Sequence, residues 1–135
     1  MPMTDSPDDL APLEDMAAVF KALSDPTRLA ILALLMRQDE LCVCDIESVL
    51  GITQSRSSRH LRYLLHAGLV TTKRVGAWSH YRITIKPDAD RVAVLDTLRA
   101  TLLGKRDKHL KKRLTVWARQ KAKSDACVAR PSDPR

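Results

Sequence analysis

The stretch from Asp45 to Ile85 leaves this chain few ways to fold. A short segment ends at Gly51, Thr53 offers a cap for a longer one from Gln54 to about His66, and Gly68 closes that in turn. Glycine just past a helix adopts the left-handed conformation that ends it. A short helix, a glycine-containing turn of about three or four residues and a longer helix make a helix-turn-helix. Two β-rich runs follow, Leu69–Arg74 and His80–Ile85, with Tyr81, Ile83 and Ile85 alternating with Arg82, Thr84 and Lys86. Val75-Gly76-Ala77-Trp78 between them suits a hairpin tip. The expected fold is a winged helix-turn-helix, mainly α with a small β-hairpin.

Helices flank this unit. Leu13, Met16, Ala17, Val19, Phe20 and Leu23 follow helical spacing. Asp25 is a good N-cap and Pro26 fits the first helical position, which starts a second helix running to about Arg37. Its apolar residues lie nearly all round, as in a central core helix. A further helix runs from about Asp88 past Leu103, with Val92, Leu95, Leu98 and Leu102 on one stripe. Pro2, Pro7, Pro12 and small polar residues make 1–12 a disordered lead-in, 13–103 the folded domain and 104–135 a basic extension. Residues 104–123 carry nine basic side chains and one acid, with Leu110, Leu114 and Trp117 at helical spacing. That segment reads as a solvated helix extending a dimer interface, or as an arm that contacts phosphates; the first reading is preferred.

Charge points to the partner. The chain has 23 Lys+Arg against 16 Asp+Glu, yet residues 1–55 hold 3 basic and 10 acidic side chains while 56–135 hold 20 and 6. A basic half of that strength argues for a polyanion, nucleic acid first. Five aromatic residues are too few for the stacking platforms that bind single strands. The longest apolar run, Leu29–Met36, is far short of the ~20 residues that span a bilayer. The acidic, Pro-containing start is unlike a signal peptide, so a cytoplasmic location without membrane insertion is expected. No Ser/His/Asp grouping, Gly-rich phosphate loop or paired catalytic carboxylates suggests an enzyme.

On the helix 54–66, Ser57, Ser58, Leu61, Leu64 and Leu65 share one side, with the leucines expected in the core. Gln54, Ser55, Arg56, Arg59, His60 and Arg62 collect on the other. In a major groove Arg pairs with guanine and Gln with adenine. Charged helix faces are often merely solvated, but here the basic hairpin (Lys73, Arg74, His80, Arg82) and the absence of acid between Arg56 and Asp88 favour DNA. The hairpin is expected on the backbone, where contacts position without specifying. His66, like His60 and His80, reads as surface or DNA-facing.

Glu40-Leu41-Cys42-Val43-Cys44-Asp45 holds two of the three cysteines. A disulfide framework would be unusual in a cytosolic chain, which leaves thiols, metal ligands or a redox pair. Soft thiophilic ions select thiolates, and two close in sequence chelate with little loop-closure entropy. In an ideal helix, side chains i and i+2 lie about 200° apart, so Cys42 and Cys44 converge only if the stretch is extended or forms an irregular first turn. The acids Asp39, Glu40 and Asp45 should raise the thiol pKa, which argues against a thiol oxidoreductase or arsenate-reducing enzyme.

The segments FKALSDPTRLAILALL and ELCVCDIESVLGITQSRSSRHLRYLLHAGLV, with the hairpin after them, resemble the ArsR/SmtB family of metal-responsive repressors over about residues 13–103. The resemblance implies a homodimer, paired through Leu13–Leu23 and Asp88–Leu103, that sits on double-stranded operator DNA with an inverted repeat. It implies DNA reading by Gln54, Ser55, Ser58, Arg59 and His60. The ELCVCD motif looks like the As(III)/Sb(III) site of that family, with metalloid binding releasing the DNA. A third Cys often follows three residues after the second; here it is Glu47. Cys127 then either completes the site, in one protomer or across two, or is an incidental tail residue. Cadmium/lead or dithiol redox sensing by the same cysteines is the alternative. The family's zinc-type site is incomplete: Asp107 and His109 are present, but Gln120 and Lys123 occupy the later ligand positions, so His109 should be exposed.

Overall fold

A computed structural model describes residues 7–123. The elements are α1 (Pro7–Leu23), α2 (Pro26–Arg37), β1 (Leu41–Cys42), α3 (Val43–Leu50), α4 (Gln54–His66), β2 (Val70–Val75), β3 (Trp78–Ile83), α5 (Ala89–Leu102) and α6 (Lys108–Lys123). The winged helix is as expected. Four glycines have positive φ, among them Gly51 (φ 69°) in the turn of the helix-turn-helix and Gly68 (φ 77°) just after its second helix.

Local chemistry accounts for the helix starts. Asp25 Oδ2 accepts the backbone N–H groups of Thr27 (2.8 Å) and Arg28 (3.1 Å), and Pro26 follows it. Thr53 Oγ1 accepts from Arg56 N (3.2 Å), and Asp88 Oδ1 from Arg91 N (2.9 Å). Each such cap is worth ~1 kcal/mol. Around α2, which buries Ile31, Leu32, Leu34 and Leu35, the core gathers Val19, Leu41, Ile46, Val49, Leu61, Leu64, Leu69 and Val70. Full burial of such a side chain contributes about 1.5–3 kcal/mol.

Four expectations change. Helix α1 starts at Pro7, six residues before Leu13, so 7–12 belong to a helix rather than to a disordered lead-in. Proline suits a first helical position, and the acid Asp9 falls in the first turn, where it complements the helix dipole. The strands shift inward, because Gly76 (φ 62°) allows a two-residue turn, Gly76-Ala77, between the paired Val75 and Trp78. A third strand appears: β1 pairs antiparallel with β3, Leu41 opposite Tyr81 and Cys42 opposite His80, giving the order β1-β3-β2.

The fourth change is α6. Expected as a solvated helix, it instead buries one of its faces in the core. Gly104 (φ 88°) and the turn after it separate α5 from α6, and Asp107, buried, accepts the Gly104 N–H and a two-pronged pair from Arg37 of α2. Helix α6 then lies against α2 and α3, burying Leu114 and Trp117. Among the described residues no helix is long and apolar enough to cross a membrane.

Candidate nucleic-acid interface and thiol site

The helix-turn-helix sets which side of α4 stays open. Ser57, His60, Leu61 and Leu64 are buried, at the i, i+3, i+4, i+7 spacing of one helical stripe. Gln54, Ser55, Arg56, Arg59 and Arg62 are exposed and Ser58 is half-buried. Among the described residues, Arg56, Arg59 and Arg62 make no ion pair within the chain. Leu65, expected in the core, is 37% exposed, because it lies at the edge of that stripe.

His60 is the main correction on this helix. It sits in the middle of the buried stripe, 5% exposed, with Arg28 Nη1 3.2 Å from its Nδ1 and Asp25 Oδ2 at 3.8 Å. Arginine only donates, so Nδ1 accepts and the ring is neutral with its proton on Nε2. Burial, ahead of the nearby charges, holds its pKa below the ordinary histidine value. His60 therefore joins α4 to α2 and does not face a groove. Tyr63, which the sequence reading passed over, is partly open beside Arg59, Arg62 and His66, with the Arg28 guanidinium 4.3 Å from its ring centre. An aromatic amid arginines was the available signal.

On the wing, Lys73 and Arg74 are both exposed. Arg74 makes no ion pair among the described residues, but Lys73 Nζ lies 3.4 Å from Glu40. The same carboxylate meets His80 Nδ1 at 2.9 Å and Arg82 at 3.5 Å.

The two motif sulfurs converge as the non-helical geometry requires. Cys42 ends β1 and stands at the N-cap of α3, Cys44 lies in its first turn, and their Sγ atoms are 2.8 Å apart. Both are buried, 3% and 0% exposed. Among the described residues, Cys42, Cys44 and Asp45 form a cluster whose donor atoms all lie within 4.8 Å of one another. Asp45 Oδ2 accepts the Cys42 N–H (2.9 Å). Its Oδ1 accepts from Trp117 Nε1 (3.2 Å) and Lys121 Nζ (3.0 Å), both from α6. Burial, then the Asp45 charge, pushes the Cys42 thiol up to about 11. Of the three acids expected to raise it, Asp45 does so, and desolvation leads.

Trp117 and Lys121 were missed as parts of this site. Their helical stripe was visible, but its docking partner lies over seventy residues away in sequence. His109 is exposed, as expected, Asp107 is paired with Arg37, and among the described residues neither belongs to a cluster of metal-ligating side chains. Cys127 lies outside the described residues.

Comparison with known proteins agrees with this architecture. Residues 25–72 match the model of the "bacterial regulatory protein, arsR family". The arsenical resistance operon repressor of Escherichia coli (strain K12) is 41% identical over 78 residues, covering 58% of this chain and 67% of the relative. Two further arsenic-resistance relatives, from Pseudomonas putida and Bacillus subtilis, are matched over 51% and 59% of their length. A homodimeric winged helix-turn-helix DNA-binding domain from Mycobacterium bovis superimposes with TM-score 0.58 at 31% identity, covering 74% of this chain and 87% of that one. An antimony-specific transcriptional repressor superimposes with TM-score 0.52 at 26% identity over 71% and 90%. This chain belongs to the ArsR family of bacterial regulatory proteins, and is a winged-helix transcriptional regulator rather than an enzyme.

Proposed function

We propose that the chain is a homodimeric repressor that binds an inverted-repeat operator and releases it when As(III) or Sb(III) binds Cys42 and Cys44. The observation that carries this reading is the meeting of two buried sulfurs at the junction of sheet and helix-turn-helix. The donor set fits a soft, thiophilic ion. Cys42 pairs with His80 of the wing and also starts α3, so any rearrangement there reaches both DNA-contacting parts.

The high thiol pKa favours a hydroxide-bearing inducer. A protonated thiol that displaces hydroxide from As(OH)3 forms an As–S bond and releases water, with no net proton. A divalent cadmium or lead ion must instead expel that proton into solution, at a cost that grows with the thiol pKa.

Cys127, of the same protomer or of its partner, is the third ligand in this reading. Lys121 already touches Asp45. The four residues from Lys123 to Cys127 can span up to about 14 Å. For the dimer, Leu13 (63% exposed) and Phe20 (59%) on α1 and Val92 (40%) on α5 are apolar side chains in need of cover.

Arsenite titration of the operator complex, followed by fluorescence anisotropy with the cysteines reduced, tests this. Cys42→Ser and Cys44→Ser should each bind DNA as the parent does and fail to release it. Cys127→Ser should respond at higher arsenite. Normal release by the Cys42→Ser/Cys44→Ser double variant would overturn the site, and release by Cd(II) but not arsenite would change the inducer.

A further inference from the structure

Glu40 sits two residues before Cys42 and is not on the DNA-facing helix. Its carboxylate nevertheless gathers the cations of the wing: Oε1 lies 3.4 Å from Lys73 Nζ and 3.5 Å from Arg82 Nη2, and Oε2 lies 2.9 Å from His80 Nδ1. The strand register explains the convergence. Lys73 is paired directly with His80 across β2 and β3, and Arg82 stands two residues further along β3 on the same face. Pairing of Leu41 with Tyr81 holds Glu40 beside that face.

We propose that Glu40 is a positioning residue that competes with DNA phosphate for the wing cations, and so sets how many backbone contacts the wing makes. The inference rests on the DNA-binding reading but not on the identity of the inducer. The ion pairs are open enough to exchange: the side chains of Lys73, Arg82 and Glu40 are 60%, 37% and 26% exposed. Solvent-screened pairs of this kind are weak, and a phosphate is a comparable acceptor for the same donors. Arg74, one residue from Lys73 and outside the cluster, is an internal control. Because Glu40 directly precedes β1 and Cys42 ends it, a movement at the sulfurs changes the grip on the wing directly.

The counterion-release slope tests the proposal, since each phosphate contact contributes about −0.9 to the slope of log K against log salt. Full-chain protein is titrated with operator duplex and with random duplex from about 50 to about 200 mM salt. Glu40→Gln should bind both duplexes more tightly, with a slope steeper by about one to two. Its advantage should shrink roughly four- to sixteenfold across that range. Lys73→Gln in the parent should flatten the slope less than Arg74→Gln does, because Lys73 is shared and Arg74 is not; this arm needs no change at Glu40. In the Glu40→Gln background, Lys73→Gln should cost the full contact. An unchanged slope in a folded Glu40→Gln protein, or equal effects of Lys73→Gln and Arg74→Gln in the parent, would overturn the proposal. A parent that bound neither duplex would instead fail the DNA-binding reading.

Discussion

The outer face of α4 and the sulfur pair at the start of α3 belong to one helix-turn-helix and are built in opposite ways. The α4 face holds three arginines out in solvent with no ion-pair partner among the described residues. The sulfur pair is buried, and the carboxylate of Asp45 beside it has both its oxygens committed, to the Cys42 amide on one side and to Trp117 and Lys121 of α6 on the other. An open charged surface exchanges water for phosphate and base edges at little structural cost. A closed site cannot accept or lose a ligand without moving what covers it. The first arrangement suits reading and the second suits switching.

The sharpest way to break this contrast is to remove the cover. Trp117→Ala takes a large buried side chain from between α6 and α3 and should cost ~3–5 kcal/mol of stability in denaturant unfolding. It should also loosen the sulfur site, whereas truncating an α4 arginine should leave unfolding nearly unchanged. Trp117→Phe keeps most of the volume but drops the bond to Asp45, and should cost less, on the order of 1–3 kcal/mol.

Next in size is the split within the open surface. Arg59→Ala should weaken operator binding by ~1–3 kcal/mol and relax preference at one base pair, if the exposed guanidinium makes a two-pronged base contact. Arg74→Ala should weaken operator and random DNA alike, as a phosphate contact does. Binding curves on both duplexes separate the two, and equal losses for both variants would remove the distinction between α4 and wing.

The smallest effect concerns the joint between the regions. His60 is buried and neutral, with its pKa below the ordinary histidine value, so the unfolded chain takes up a proton at higher pH than the folded one. Stability should be full above about pH 6.5 and fall as pH drops from there toward the lower folded pKa. His60→Gln should flatten that part of the stability–pH curve measured by thermal unfolding. An unchanged slope would mean that His60 does not carry the proton uptake.

These regions also differ in how far the sequence discloses them. Asp25-Pro26, Gly51, Thr53 and Gly68 announce the helix ends because caps and left-handed turns are decided within four residues of chain. The alternation through Tyr81 and Ile83 announces the wing for the same reason. Cys42 and Cys44 were legible as a pair, and their two-residue spacing already required the non-helical start that β1 and the N-cap supply. What could not be read is long-range. Two-residue β1 has no periodicity, and exists because β3 has an edge to pair with. His60 looked like a reading residue because it is polar, and only the packing of α4 on α2 shows it to be core. Helix α6 carried an evident Leu114–Trp117 stripe, but nothing local says that the stripe ends on Asp45. Glu40 seemed only to precede the motif until the register of β2 and β3 placed three cations around it.

The central claim is that sulfur ligands from this chain take up the metalloid at the start of α3, and X-ray absorption at the arsenic edge tests it most directly. With arsenite bound and no small thiol added, the account predicts three sulfur neighbours in the parent. It predicts two in Cys127→Ser, and fewer still when Cys42 and Cys44 are both serine. An arsenic shell made of oxygen in the parent, or the same sulfur count after loss of both Cys42 and Cys44, would contradict it.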